Sequence, residues 1–254
     1  MVDEPDDDLP SGGETPRRRM LYGRSKGKRL RTRHAGLMET LLPKVRIDVP
    51  GQWMPDGTPL DPRTFFAAPP RQVWFEVGFG GGEHLAFQAG SNPDVGFIGC
   101  EPFINGMAKL LALIDERALG NVRVCPTDAA LLLERLAPAS IDRLFILYPD
   151  PWPKQRHNKR RFISQGNLDL VARVLKPGGQ FRFVSDIDDY VAWTLDHAAR
   201  HGGFSGPSGT PEDWLQPPAD WHRTRYEEKA LREGRRGHYL DFYRKDAQAG
   251  SGRV

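Results

Sequence analysis

Along the 254-residue chain, short apolar runs alternate with longer stretches of helical spacing. β-type runs occupy Gln72–Val77, Val95–Cys100, Val122–Cys125 and Ile141–Tyr148, and segments between them, such as Ile104–Leu119, place apolar side chains three and four positions apart. A strand covered on both faces loses the alternation of inward and outward residues and becomes apolar throughout. The order strand, helix, strand therefore predicts an α/β domain with a parallel sheet between two helical layers. Beyond the fourth strand, Ile163, Leu168, Val171, Val174 and Leu175 predict a helix over Phe162–Leu175 that Lys176-Pro177-Gly178-Gly179 stops. Phe181–Val184 reads as a fifth strand. A stretch rich in Pro and Gly, Gly202–Pro218, separates it from a final strand, Tyr239–Tyr243, so the late strands are expected to add a hairpin to one sheet edge. Upstream, Leu37, Met38, Leu41 and Leu42 suit a short helix over Ala35–Leu42 that Pro43 ends, and Pro50–Pro70 reads as a loop.

Composition adds one core and an uneven distribution of charge. At 39% hydrophobic residues the chain can bury a single large core. Net charge is only +3, yet the first eight residues carry Asp3, Glu4, Asp6, Asp7 and Asp8. Arg17–Arg33 carries Arg17, Arg18, Arg19, Arg24, Lys26, Lys28, Arg29, Arg31 and Arg33 with no acid. Any affinity for polyanions must come from that placement and not from the sum. Met1–Pro16 has too few bulky apolar side chains to offset the entropy of ordering and is expected to be disordered. The expected organisation is an acidic tip with a basic arm, suited to a polyanion, over 1–34, one folded domain over 35–245 and a flexible tail over 246–254. Cys100 and Cys125 show no metal-ligand spacing and are expected to be buried thiols. No apolar run approaches the roughly 18–20 residues of a membrane span, and the N-terminus opens with acids, so a soluble cytoplasmic protein is expected, monomer or homodimer, with no membrane and no metal.

The first strand runs into Glu76-Val77-Gly78-Phe79-Gly80-Gly81-Gly82. Glycines at a strand-to-helix turn let backbone amides approach a ligand that any Cβ would obstruct. A dinucleotide fingerprint requires GxGxxG, but Gly78, Gly80 and Gly82 make GxGxG, and Glu83 stands where the third dinucleotide glycine would fall. Acids on both sides of the loop would repel a pyrophosphate and suit a sulfonium, which favours S-adenosylmethionine over a dinucleotide. Glu101 ends the second strand 25 positions after Glu76, where such a sheet places an acid for ribose hydroxyls. Asp128 follows the third strand and is placed to accept from an adenine amino group. Each feature alone also describes a tight turn or a solvated acid; their order at successive strand ends points to a donor pocket.

The fourth strand delivers Tyr148-Pro149-Asp150-Pro151-Trp152-Pro153-Lys154, a loop stiffened by three prolines. Stiffness serves an in-line displacement, whose rate depends on alignment; a rigid turn with Trp152 as a lid on the core is the plainer alternative. Next come Arg156, His157, Asn158, Lys159, Arg160 and Arg161, which could be a solvated face or a phosphate track beside the reaction centre. With Trp152 or Tyr148 available to stack on a base, the substrate reads as RNA.

Six segments, EVGFGGG at Glu76, GCEPF at Gly99, PDPWPKQRHNKRR from Pro149, LKPGG at Leu175, SDIDDY at Ser185 and TRYEEKALREGRRGHYLDFYR from Thr224, together resemble the bacterial tRNA (guanine-N7)-methyltransferase family. The resemblance spans about Tyr22 to Arg244, and PDPWPK with its basic run is its most distinctive element. It implies a Rossmann-like class I methyltransferase fold, a doubly wound and mostly parallel seven-stranded sheet with an antiparallel edge strand. It also implies S-adenosylmethionine as donor, tRNA as partner and the variable-loop guanine at position 46 as acceptor. By the same resemblance, Glu76, Gly78, Gly80, Gly82, Glu101, Asp128 and Asp150 hold the donor, with Asp150 also the catalytic acid. Lys154, Asp186, Thr224, Arg225, Tyr226 and Glu227 contact guanine, and Arg156, His157, Asn158, Lys159, Arg160 and Arg161 engage the RNA. Where this chain reads Thr224-Arg225-Tyr226-Glu227 the family often has Thr-Lys-Phe-Glu, a change that keeps charge and aromaticity.

The seven histidines show no metal spacing and are assigned no catalytic role. Trp53, Trp74, Trp193, Trp214 and Trp221 are expected to pack. Rival readings are a methyltransferase for exocyclic amines and an RNA-binding protein that keeps the fold without the donor.

Overall fold

A computed structural model describes residues 27–48 and 58–246. The acidic tip, most of the basic arm, Trp53 and nearly all of the tail lie outside the described residues. Two helices, α1 (Thr32–Thr40) and α2 (Leu42–Val45), precede a core of alternating elements. These are β1 (Gln72–Val77), α3 (Glu83–Ser91), β2 (Val95–Cys100), α4 (Ile104–Arg117), β3 (Val122–Cys125), α5 (Ala129–Leu133) and β4 (Ile141–Leu147). Then come α6 (Gln165–Val174), β5 (Leu175–Ser185), α7 (Asp188–His201), β6 (Phe204–Ser205), α8 (Arg225–Arg232) and β7 (His238–Arg244).

The strands form one seven-stranded sheet in the order β3-β2-β1-β4-β5-β7-β6. β1 pairs in parallel with β2 and β4, and only β7 runs against the rest. The chain walks outward from β1 to β3 and then returns to β4, so the sheet reverses direction between β1 and β4. At such a switch point the crossovers on either side diverge and leave a crevice beyond the carboxyl ends of the strands. Side-chain alternation sorts the core into two layers. Val73, Phe75, Leu144, Ile146, Phe181 and Phe183 pack against Leu132, Leu168, Val171 and Tyr190 on one face. Trp74, Phe97, Val122, Val124 and Phe145 pack against Leu85, Leu110, Leu111 and Ile114 on the other.

Several boundaries differ from the sequence reading. Pro43 does not end a helix but opens α2, where its missing N–H is no loss. Lys176-Pro177-Gly178-Gly179 does stop α6, but those residues already belong to β5, which bulges against β4 between Ile141 and Arg143. The antiparallel strand β7 lies one in from the edge, and the edge is the two-residue β6. Elements passed over in the sequence include α7 and α8; the latter begins at a Thr224-x-x-Glu227 capping pattern. Residues 27–33, expected to end the arm, lie against α4: Arg33 reaches Asp115 at 3.0 Å and Glu116 at 2.5 Å.

One polar cluster fastens the long connection before α8 to the sheet. Asp220 accepts from Arg143 of β4 and from Arg182 of β5, both at 2.8 Å, while Arg182 also forks onto Asp241 of β7. From α3, Gln88 donates to the Asp220 carbonyl at 2.6 Å. Burial raises the Asp220 pKa, but the Arg182 and then the Arg143 guanidinium outweigh it and hold it at about 2 against an ordinary 3.8. A carboxylate with a depressed folded pKa lends stability above its unfolded value and loses it as pH falls toward the folded one. Asp220→Asn is therefore expected to lower stability at neutral pH and to flatten the loss between pH 3.8 and about 2. Urea titrations across that range test this; parallel curves for the two proteins would remove Asp220 from the account.

Candidate active site

The crevice at the switch point holds a cavity of about 1150 Å³. This exceeds the roughly 300–1,000 Å³ of a pocket for one small ligand, so a donor and part of a second molecule fit together. Its floor is the glycine loop. Gly78 (φ 64°) lines the cavity, and the space its Cβ would occupy is open. Gly80 also needs its left-handed backbone (φ 58°), and a Cβ there would meet the Tyr226 ring at 2.8 Å. Glu101 holds this floor in place: one carboxylate oxygen accepts from the Gly80 amide at 2.7 Å and the other from Phe103 at 2.9 Å. Burial lifts its pKa, and those two amide bonds oppose the rise.

Asp128 and Asp150 also line the cavity. Asp128 caps α5 through one oxygen, which accepts from Ala130 at 3.0 Å. Asp150 is open to solvent within the cavity, yet the protein crowded around it raises its pKa. Tyr148 (φ 49°) and Trp152 (φ 45°) both take left-handed backbone, unusual for aromatic residues, and each precedes a proline that disfavours the ordinary helical alternative. The Pro-Asp-Pro-Trp-Pro loop is thus held bent, with Asp150 and Trp152 turned to the cavity wall. Behind Trp152, the Arg160 guanidinium lies 5.0 Å from its ring centroid.

Of the residues assigned to the donor, Gly78, Gly80, Glu101, Asp128 and Asp150 come together on this wall, and Glu76 and Gly82 are not among its lining residues. Glu76 is buried and hydrogen-bonds His84 at 2.7 Å; Gly82 caps α3 and leaves no room for a Cβ beside Leu110. Among the guanine candidates, only Tyr226 is a lining residue. Arg225 stands near Glu83 at 3.7 Å, Lys154 is exposed, and Asp186 accepts from Arg235 at 2.6 Å. Thr224 caps α8. Glu227 is buried and accepts from Trp221 and from the Tyr239 hydroxyl, both at 2.7 Å, so it anchors α8 beneath Tyr226. Arg161 lines the cavity with Lys159 and Arg160, but its burial corrects its assignment to an exposed RNA-binding surface. It is 3% exposed, donates to the Pro151 carbonyl and to Asp189, and lies over Tyr190 and Trp193. Arg156 and Lys159 are exposed, whereas His157 and Asn158 are half-buried.

Sequence reasoning missed Phe103, Ser164 and Asn167 on the wall. The capping pair Ser164 and Asn167 carried a readable helix-start signal; Phe103 carried none. Among the described residues, no group of three or more His, Cys, Asp or Glu could hold a metal ion, and no helix is long and apolar enough to cross a membrane.

Residues 70–240 match the family described as "Putative methyltransferase". The chain is 53% identical over 225 residues to a tRNA (guanine-N(7)-)-methyltransferase of Agrobacterium fabrum, covering 89% of this chain and 95% of that protein. It is 50% identical to the protein of the same name from Rhizobium meliloti, covering 88% and 94%. The chain belongs to the tRNA (guanine-N7)-methyltransferase family. Among solved structures, the 16S rRNA methyltransferase KamB superposes with a TM-score of 0.50 at 19% identity, covering 70% of this chain and 89% of that one, a likeness of fold. In this family member the basic run is divided between a packing arginine and surface cations. Arg161→Ala is accordingly expected to cost roughly 2–4 kcal/mol of stability, from a charged hydrogen bond and the stacked rings, and Arg160→Ala much less. Equal urea midpoints for the two variants would contradict that division.

Proposed function

We propose that the protein transfers a methyl group from S-adenosylmethionine to N7 of a guanine in tRNA, the variable-loop guanine at position 46. The observation that carries this reading is the meeting of Glu101, Asp128 and Asp150 with the bent Pro-Asp-Pro-Trp-Pro loop on one cavity, in a chain so similar to relatives of that name. The residues fit the donor. Glu101 has two oxygens, each with a lone pair beyond its amide bond, available for ribose hydroxyls, and Asp128 offers its second oxygen to an adenine amino group. Gly78 leaves space where a side chain would stand, and the apolar wall of Val77, Phe103 and Ala129 suits a flat ring. When bound, S-adenosylmethionine supplies an electrophilic methyl on a sulfonium.

Guanine N7 bears a lone pair and no hydrogen, so no base has to remove a proton and alignment carries the rate. The stiff loop and Tyr226 on the opposite wall hold the purine, and an ionised Asp150 stabilises positive charge that builds on its imidazole ring. A carboxylate that accepts from the N1 and N2 donors also selects guanine over adenine, whose N1 is an acceptor. Lys154 and Arg225 stand at the rim as guanine contacts, and Arg156, Lys159 and Arg160 take the RNA backbone. The same reading puts the enzyme in the cytoplasm, as monomer or homodimer.

Undermodified tRNA and labelled donor test the reading: mass mapping is expected to find 7-methylguanosine at position 46, and a methylated exocyclic amine would overturn it. Asp150→Asn should lower kcat by at least about a hundredfold with little change in folding. Because desolvation by the surrounding protein raises the Asp150 pKa, wild-type kcat/KM should fall with acidification at a pH above the ordinary carboxylate range. A full rate in the variant would remove Asp150 from the chemistry.

A further inference from the structure

The start of the described chain is tied to the donor cavity by one side chain. The Asn105 amide near the start of α4 accepts from the Gly27 amide at 2.8 Å and donates to the Lys28 carbonyl at 2.7 Å, a reciprocal pair spanning more than 75 residues of sequence. Gly27 is pressed against its neighbours. A Cβ there would lie 2.6 Å from Asn105 Oδ1 and 2.8 Å from the Phe103 ring, and Phe103 is a wall of the cavity. Five residues on, α1 begins, and Arg33 forks onto Asp115 and Glu116 farther along α4. The segment is thus fixed at two points along one helix, and between them Lys28, Arg29 and Arg31 are exposed.

An exposed amide pair exchanges with water unless packing holds it, and the fit of Gly27 between Asn105 and Phe103 adds packing to the two hydrogen bonds. Three cations on a tethered backbone can offer phosphates a set path, and the Gly27 end of this backbone abuts the Phe103 wall. The same cations on a loose chain attract RNA without registering it.

We propose that Asn105 is a positioning residue for RNA: by clamping Gly27 and Lys28 against the cavity wall, it sets Lys28, Arg29 and Arg31 where they contact substrate phosphates next to the reaction centre. This rests on the tRNA reading above. Full-length Asn105→Ala and Gly27→Val break the clamp from opposite sides while leaving every charge in place. Each is expected to raise KM for tRNA roughly three- to tenfold with kcat little changed and to make log KM depend on log salt less steeply by about 1; Asn105→Ala, which adds no bulk against Phe103, should also leave the calorimetric affinity for S-adenosylmethionine unaltered. The double variant should be no worse than the worse single one, because both remove the same contact.

An unchanged KM for tRNA, or a raised KM with the wild-type salt slope, overturns the proposal. So does a weakened donor affinity in Asn105→Ala, which would make the clamp a support for Phe103. Should Asn105→Ala fail to fold, Gly27→Val decides by its KM for tRNA and its salt slope. Wild-type enzyme that transfers no methyl to tRNA overturns the functional reading instead, and an active wild type with silent variants overturns this inference alone.

Discussion

The Glu101 carboxylate is the joint on which the site depends. It sits at the end of β2, buried, and gathers the Gly80 amide of the loop after β1 and the Phe103 amide that leads into α4. Two elements that diverge at the switch point are thereby drawn to one acid, and the cavity between them gains a floor. Backbone amides are suited to this task because they offset part of the cost of desolvating the charge; burial still lifts the pKa of Glu101. Close approach is what demands glycine: a Cβ on Gly106 of α4 would stand 2.3 Å from the Gly80 carbonyl.

The opposite wall is held by a different device. Tyr226, 44% exposed, stands over Gly80, and its position comes from buried polar contacts beneath it. Glu227 takes hydrogen bonds from Trp221 and Tyr239, and Asp220 joins Arg143 and Arg182 across two strands. Glu227 and Arg182 are buried and Asp220 is half-exposed; a buried charge broken from its partners is costly, so these contacts favour one arrangement of the connection before α8. The motif Thr224-Arg225-Tyr226-Glu227 thus divides its labour. Thr224 and Glu227 build the helix, and Arg225 and Tyr226 face the glycine loop.

Acids in the cavity and cations at its rim serve opposite ends of one proposed substrate, a base with a developing positive charge and a backbone of phosphates. Keeping Asp150 and Glu101 in a partly desolvated crevice costs stability and lends each charge more influence than it has in water. Tyr148 and Trp152 add left-handed backbone at the loop that lines the cavity.

Much of this was legible in the chain itself. Apolar runs marked β1 to β4 because strands buried on both faces cannot hide polar side chains, and the spacing of glycines and acids at their ends located Gly78, Gly80, Glu101, Asp128 and Asp150. Periodicity failed where a position depends on distant partners. No local signal distinguishes Arg161, stacked on Tyr190 and Trp193, from Arg160 one residue earlier, because burial is set by the rings that α7 brings from about thirty residues away. Glu76 reads like the other strand-end acids, yet the fold buries it with His84 as its partner, and it is not among the residues that line the cavity. The residue types and their order determined which chemistry the chain could perform; which of two like side chains stays open and which is buried and paired was decided only by tertiary packing, since desolvation and pairing are properties of the assembled neighbours and not of the chain.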